Sequence, residues 1–354
     1  MANVTFRHGG NIYGLEKNRR KGVIDFSANI NPLGLPLRVK RAVCENFNRI
    51  LHYPDPEAKG ITRAISKYWK INEENILVGN GSIELIYLIT SCFKPKTTLI
   101  PAPTFSEYER AARTVKSKVK ILRLKESEAF NCNILGIGNS DMFFLCNPNN
   151  PTGNLLIKTG RLIDKFPAKL CVIDEAFMDF LPDQKEHTLI PRAVKSKKIA
   201  VLRTLTKFFA LPGLRIGYLV AHKEIISKLR ECQPPWSVNS LAQLAGRMIL
   251  ADRGYIRKTC EFIVNERNFL FKQITKIEGL TLYPSFTNFI LIKIENNSLT
   301  STLLVKKLIQ KSLLVRDCVN FKGLGNKFIR IAVRTRKENI RLLKALDSIV
   351  VSYR

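Results

Sequence analysis

Several kinds of residue and pattern are scarce in this chain, and each scarcity excludes a class of protein. The 354 residues include only four histidines, and the eight cysteines form no Cys-x-x-Cys pair. The cysteines lie mostly inside apolar runs, which is typical of reduced core thiols and excludes a disulfide framework or a zinc site. No apolar run approaches the roughly 18 residues of a membrane span, and the first residues lack the apolar core of a signal peptide. We expect a cytoplasmic protein that binds no metal and no membrane.

Acidic residues are also scarce relative to basic ones. The chain has 29 acidic and 58 basic side chains, which gives a net charge of +29. Such a charge first suggests a nucleic acid or an anionic surface as partner. The lysines and arginines are nevertheless spread along the whole chain, without a basic tail, an RNA-stacking motif or a zinc-finger pattern. We therefore do not expect nucleic acid as the partner, and both a basic proteome and anionic ligands remain open as explanations.

The order of apolar runs predicts the fold class. Short β-rich runs alternate with longer helical patterns through the first two-thirds of the chain, which favours a mainly parallel sheet flanked by helices, an α/β fold. The predicted strands of this part are 98–100, 119–122, 142–146, 170–174, 199–204 and 216–220.

The last third of the chain has a different pattern and predicts a smaller α+β domain. A helical stretch runs from about 237 to 274, short strands follow at 280–283, 289–294 and 328–333, and an amphipathic helix covers 337–352. The expected division is an arm at 1–35 that packs with the small domain, a large domain at 36–230 and the small domain at 231–354.

The most informative segment contains Lys207, with hydroxyls at Thr204 and Thr206 and a guanidinium at Arg215. A lysine reacts with an aldehyde only when its ammonium loses a proton easily, and burial or a nearby cation lowers its pKa. An arginine fork also matches a phosphate group. A solvated basic face is the simpler explanation, but the flanking residues are apolar and interrupted by glycine and proline.

This segment resembles the lysine signature of the fold-type I, class I/II aminotransferases, which depend on pyridoxal 5'-phosphate (PLP). The resemblance implies a large PLP-binding domain with a seven-stranded sheet, as in aspartate aminotransferase. It makes Lys207 the catalytic lysine and gives Thr204, Thr206 and Arg215 to the cofactor phosphate. It also implies a homodimer with shared active sites.

Further segments match the same family in its order of motifs. Asp174 ends an apolar strand, where a buried carboxylate needs a partner such as a protonated pyridine nitrogen; a turn or cap role is the alternative. By resemblance, Ala176 packs on the ring and Asn150 donates to its phenolic oxygen. Position 177 is phenylalanine where many family members add a tyrosine hydroxyl. The remaining expected cofactor contacts are Gly81, Ser82 and Ile83 at a helix start, Phe105 on the ring, and Tyr53 towards the neighbouring subunit's phosphate.

The N-terminal arm is the segment from which we predict the reaction. The segment that begins at His8 with Gly9 and Gly10 resembles threonine-phosphate decarboxylases more than histidinol-phosphate aminotransferases. It implies a small phosphorylated amino-acid substrate and decarboxylation of L-threonine O-3-phosphate in cobalamin biosynthesis. Transamination of histidinol phosphate, or a basic scaffold without catalysis, remain the alternatives.

Four side chains are the expected substrate contacts. His8 and Asn31 are expected near the substrate phosphate, Arg316 on that phosphate, and Arg330 on the α-carboxylate. An arginine inside an apolar strand is rarely buried without an anionic partner. Arg334 or Arg336 could take the place of Arg330, and a salt bridge within the small domain is the structural alternative.

Overall fold

The computed structural model describes residues 8–15, 22–132, 138–157 and 168–353. Thirteen strands lie in this part of the chain. They are β1 (Ile24–Asp25), β2 (Ile76–Gly79), β3 (Thr97–Ala102), β4 (Lys118–Arg123), β5 (Ser140–Cys146), β6 (Ala168–Asp174), β7 (Ile199–Thr204), β8 (Gly217–Ala221), β9 (Leu280–Leu282), β10 (Phe289–Ile294), β11 (Leu313–Leu314), β12 (Arg316–Asp317) and β13 (Phe328–Ala332).

Eleven α-helices are described in the same ranges. They are α1 (Leu37–Glu45), α2 (Lys59–Trp69), α3 (Gly81–Phe93), α4 (Glu107–Thr114), α5 (Gln184–His187), α6 (Ile190–Ala193), α7 (Lys223–Cys232), α8 (Ser240–Leu250), α9 (Arg253–Ile274), α10 (Ser301–Gln310) and α11 (Arg336–Val351). Short 3₁₀ helices cover Ile12–Gly14, Phe47–Leu51, Glu73–Asn75, Glu126–Glu128, Met178–Phe180 and Gly325–Lys327.

A seven-stranded sheet forms the centre of the large unit. Its strand order is β2-β8-β7-β6-β5-β3-β4, and β8 alone runs antiparallel to its neighbours. The central strands β5, β6 and β7 are buried along almost their whole length, as expected for a parallel sheet covered on both faces. The predicted α/β fold with a mainly parallel seven-stranded sheet is confirmed. The prediction missed β2, whose four residues are too few to show a period.

The C-terminal part contains an antiparallel four-stranded sheet in the order β12-β13-β10-β9. The expected single helix at 237–274 is two helices. The first ends at Leu250 with Ala251 as its C-cap, and Asp252 caps the next, where its carboxylate accepts from the backbone N–H of Tyr255 at 3.0 Å. Side-chain caps of this kind satisfy the free N–H groups of a helix start.

The arm contacts the C-terminal part through backbone pairing. β1 pairs in parallel with β11, and the N–H of Ala332 donates to the carbonyl of Phe26 at 2.8 Å. Residues 1–7 and 16–21 of the arm lie outside the described part, and the division into three segments stays a prediction. Across the residues described above, no helix is long and apolar enough to cross a membrane.

Candidate active site

A cavity opens where three parallel strands end. The carboxyl ends of β5, β6 and β7 are Cys146, Asp174 and Thr204, and all three residues line the cavity. In open α/β sheets, ligands bind at this edge because loops and helix starts meet there. The fold therefore brings together the segments that carry the predicted motifs.

Lys207 lies in this cavity and has the electrostatic setting of a reactive amine. Burial, together with the positive charges of Arg330 and Arg215, lowers the pKa of Lys207 to about 8. A lysine with this pKa is still mostly charged at pH 7, but its neutral fraction of about one-tenth is some hundreds of times that of a lysine at the ordinary pKa of 10.5. Its backbone carbonyl accepts from the N–H of Asn31 at 3.0 Å, which ties the lysine loop to the arm.

One wall of the cavity is suited to a phosphate group. Ser82 and Ile83 line it at the N-terminus of α3, where backbone N–H groups and the helix dipole attract an anion. Arg215, Thr204 and Thr206 line the same cavity. Gly81 is required beside them, because its φ is +78° and an added Cβ would lie 2.6 Å from the Arg215 guanidinium.

The carboxylate of Asp174 is held by two donors at the cavity floor. The Tyr108 hydroxyl donates to one oxygen at 2.7 Å, and the backbone N–H of Ala176 donates to the other at 2.9 Å. Burial raises the pKa of Asp174, while these two hydrogen bonds lower it. A buried carboxylate with fixed donors is a suitable partner for a cationic ring nitrogen.

Asn150 and Phe105 complete the expected cofactor set within the cavity. The side-chain oxygen of Asn150 accepts a hydrogen bond from Arg330, which leaves the amide nitrogen as the group that can donate to a ligand. Phe105 lines the cavity and contacts Tyr108 edge-to-face at a centroid distance of 5.6 Å.

Two further arginines line the cavity and lie opposite each other across a strand pair. Arg316 of β12 is the register partner of Arg330 of β13, and the two residues are 4% and 5% exposed. Burial lowers the pKa of Arg330 to about 10, and the Arg316 charge acts in the same direction. Like charges directly opposite in a sheet repel. A ligand with anionic groups would relieve that repulsion.

The arm contributes His8 and Gly9 to the lining of the cavity. The His8 imidazole lies 2.9 Å from the Glu107 carboxylate, and its ring is 5.8 Å from that of Phe105. The N–H of Gly10 donates to the Ser27 hydroxyl at 2.8 Å, and Arg330 donates to the Ser27 carbonyl at 2.8 Å. His8 therefore reaches the cavity from a segment that backbone contacts hold in place.

Two predicted residues lie elsewhere. The Asn31 side chain does not line the cavity: its nitrogen donates to the Phe208 carbonyl at 2.8 Å and its oxygen accepts from the N–H of Leu33 at 3.0 Å. These bonds brace the lysine loop instead of facing a ligand. Tyr53 is 81% exposed, its ring is tilted by 31° to that of Trp236 at a centroid distance of 4.8 Å, and it is not among the residues that line its own chain's cavity.

Comparison with known proteins gives the family. The model for "Aminotransferase class I and II" matches residues 21–346. The threonine-phosphate decarboxylase of Salmonella typhimurium is 36% identical, over 99% of this chain and 98% of the relative. A protein of Caldanaerobacter subterraneus subsp. tengcongensis, provisionally named a threonine-phosphate decarboxylase, is 40% identical over 96% of this chain and 93% of its own. The crystal structure of the histidinol-phosphate aminotransferase from Clostridium acetobutylicum superposes with a TM-score of 0.85 at 30% identity, covering 92% of this chain and 99% of that one.

The chain belongs to the class I and II aminotransferase family. The predicted resemblance is thereby confirmed. The described residues of this aminotransferase-family chain also fit PLP by their chemistry: a lysine with a lowered pKa, a buried carboxylate with fixed donors, and a helix start beside an arginine. The roles of the individual residues stay predictions.

Sequence reasoning missed several residues of the cavity wall, among them Tyr108, Asn29 and Asn320. Tyr108 follows Phe105 by three residues, and this helical spacing could have placed both on one face. Asn29 is buried against the cavity, and its side-chain oxygen has no hydrogen-bond partner in the described part of the chain. Asn320 accepts from Arg316 at 2.6 Å and also lines the cavity. No local pattern distinguishes either asparagine from an ordinary turn residue.

A buried charge cluster lies at the ends of β6 and β7. The sequence pattern did not reveal this cluster either. Arg203, which precedes Thr204, lies 2.9 Å from Glu175 and 3.1 Å from Asp179. All three residues are buried. Removing one member of such a cluster leaves an unpaired buried charge, so we expect these residues to fix the ends of β6 and β7.

Proposed function

We propose that this chain is a PLP-dependent carboxy-lyase that converts L-threonine O-3-phosphate to (R)-1-amino-2-propanol O-2-phosphate for cobalamin biosynthesis. The observation that carries the proposal is the facing pair Arg316 and Arg330, which lines the same cavity as the phosphate cup, formed by Ser82, Ile83, Thr204, Thr206 and Arg215. This substrate has one carboxylate and one phosphate, so each guanidinium meets an anionic group. The similarity to threonine-phosphate decarboxylases over nearly the whole chain supports the same substrate.

The side chains that line the cavity have different roles in the reaction. When bound, PLP supplies an electron sink for the carbanion left at the substrate α-carbon. Asp174 holds the positive charge of the ring nitrogen in place, and Tyr108 and the Ala176 N–H keep that carboxylate oriented. Arg330 binds the carboxylate, and Arg316 and His8 bind the phosphate. Together they fix the rotation about the substrate Cα–N bond, which selects the bond that breaks.

Lys207 is the group that can move protons at the reacting carbon. Loss of CO₂ removes the carboxylate and leaves a pair of electrons, and a proton must then be added at the α-carbon. The pKa of about 8 allows the Lys207 ammonium to deliver that proton and to recover it from solvent near neutral pH. The wall residues Ala176 and Phe177 are apolar and limit the access of water.

Histidinol-phosphate transamination is the second candidate. The histidinol-phosphate aminotransferase from Clostridium acetobutylicum has the same fold over 92% of this chain, and histidinol phosphate also contains an amine and a phosphate. That substrate lacks a carboxylate, so only one of the two facing arginines would meet an anion in the donor complex. The arginine pair therefore favours the decarboxylase.

The test supplies purified protein with PLP and L-threonine O-3-phosphate, without any keto acid. We expect stoichiometric CO₂ and aminopropanol phosphate over many turnovers, and none from the Lys207→Ala variant. Activity that appears only with histidinol phosphate and 2-oxoglutarate would contradict the decarboxylase and support the transaminase.

We also propose that the protein works in the cytoplasm as a homodimer with shared sites. The short segment 47–53 exposes four large apolar side chains, Phe47, Ile50, Leu51 and Tyr53, and the exposed Trp236 ring lies 4.8 Å from that of Tyr53. An exposed apolar patch is typical of an interface. Tyr53 lies in this patch and would reach the phosphate of the partner subunit's cofactor.

A subunit-mixing experiment tests the shared site. Tyr53→Ala and Lys207→Ala subunits are denatured, mixed and refolded together. If Tyr53 acts across the interface, each mixed dimer has one site with both residues intact, and activity rises above that of either variant alone. No recovery in a verified mixed dimer would place Tyr53 outside the neighbouring site, and a monomer by light scattering would contradict the dimer.

A further inference from the structure

Two cysteines outside the active site are in direct contact. Cys92 lies in the last turn of α3, Cys232 is the last residue of α7, and their Sγ atoms are 2.9 Å apart. The two residues are 140 positions apart in the sequence. Sulfur atoms at this distance already point at each other, so a bond between them needs only small rotations of the side chains.

The contact lies between helices that are held by a common core. Leu88 and Ile89 of α3 belong to the same buried cluster as Ile225 and Leu229 of α7. The Lys228 ammonium of α7 also lies over the ring of Phe93, at 4.6 Å from its centroid. Because packed helices fix both backbones, the approach of the two thiols is a property of the fold and not of a loose surface loop.

The two thiols differ in access. Cys232 is exposed, whereas Cys92 is partly buried. Burial and the contact with Cys232 raise the pKa of Cys92 to about 12. An external reagent therefore reacts first with Cys232. Cys92, which is in contact with Cys232, is the second thiol to react. This arrangement of an exposed and a resolving cysteine is typical of reversible thiol oxidation.

We propose that Cys92 and Cys232 are a modification site that forms a reversible disulfide by exchange with a small disulfide such as oxidised glutathione. The Cys232 thiolate attacks one sulfur of the reagent, forms a mixed disulfide and releases one glutathione thiolate. Cys92 then gives up its proton, attacks the Cys232 sulfur and releases the second glutathione. Two protein thiols are oxidised, and one glutathione disulfide is reduced to two glutathione molecules.

The disulfide would join the two helices that lie beside the end of β8. The N-terminus of α3 forms the phosphate cup, so the bond braces the far end of the helix that holds the phosphate. A link across a sequence separation of 140 residues constrains the unfolded chain strongly. We expect the oxidised protein to melt about 3–8 °C higher than the reduced one.

The experiment treats the reduced holoenzyme with oxidised glutathione, blocks the remaining thiols by alkylation, and analyses the intact mass and the peptides. We expect the loss of two hydrogen masses, two fewer alkylated cysteines, and one cross-linked peptide pair containing Cys92 and Cys232. Dithiothreitol should reverse the change and the rise in melting temperature.

Single substitutions test whether the contact between Cys92 and Cys232 determines which product forms. Cys92→Ser should keep a stable glutathione adduct on Cys232, because the resolving thiol is gone. Cys44→Ser removes another exposed cysteine and should form the disulfide like the wild type. A stable glutathione adduct on Cys232 of the wild type would overturn the proposal. So would a cross-link through other cysteines, or no reaction at a thiol that alkylates readily.

Discussion

Replacing Lys207 by methionine should stabilise the protein when PLP has been removed. Lys207 is buried beside Arg330 and Arg215, and its pKa falls from 10.5 to about 8. In the unfolded chain the lysine stays charged up to about pH 10.5, whereas the folded state must bury that charge at every pH below about 8. The difference between the two values corresponds to about 3 kcal/mol against the folded state. Lys207→Met removes this cost.

The sign of the effect gives it a characteristic pH dependence. Between pH 8 and 10.5 the unfolded state binds more protons than the folded state, so the wild type gains stability as the pH rises. The advantage of Lys207→Met should therefore be about 3 kcal/mol near neutral pH and fade towards pH 10.5. Above that pH the lysine is neutral in both states.

Denaturant unfolding of the cofactor-free proteins at several pH values measures this directly. Lys59→Met is the matched control, because Lys59 is exposed and pairs with Glu57 at the surface; it should give no gain. If the Lys207→Met protein is no more stable than the wild type at neutral pH, the inference that Lys207 is a buried charge beside two cations is refuted. An advantage that persists unchanged above pH 10.5 would refute it too.

Three further predictions concern turnover with threonine phosphate. Asp174→Ala should lower kcat by several orders of magnitude, because it removes the counter-ion of the ring nitrogen. A kcat close to that of the wild type would show that Asp174 is not part of the site. Tyr108→Phe takes one donor from Asp174, a hydrogen bond of about 1.5–3 kcal/mol, and should lower kcat by about 10–100-fold. Tyr218→Phe, which instead loses the partly buried hydrogen bond that the Trp69 ring N–H donates to the Tyr218 hydroxyl, should leave kcat unchanged. His8→Ala should raise KM by about tenfold, more than it lowers kcat; an unchanged KM would mean that the arm does not touch the phosphate.

Particular residues show which structural features of this protein can be predicted from the local sequence pattern. The strand at 199–204 was predicted with the bounds that the structure has, because five of its six positions are apolar or β-branched and Arg203 is the one exception. The break between α8 and α9 was missed, because Asp252 reads as an ordinary helix residue until its carboxylate is seen to cap Tyr255. Asn31 was expected at the substrate, but its hydrogen bonds to Phe208 and Leu33 are set by how the arm folds back on the lysine loop.

The sequence by itself determined the family and the α/β class and predicted Lys207 as the reactive lysine, since short-range periodicity and motif order are properties of neighbouring residues. Only the tertiary structure decided which distant groups meet. The pairing of Arg316 with Arg330 depends on strand register, and the donation of Tyr108 to Asp174 spans 66 residues. The contact of Cys92 with Cys232 depends on how α3 and α7 pack on one core. Such contacts follow from the packing of the whole chain, which no local pattern encodes.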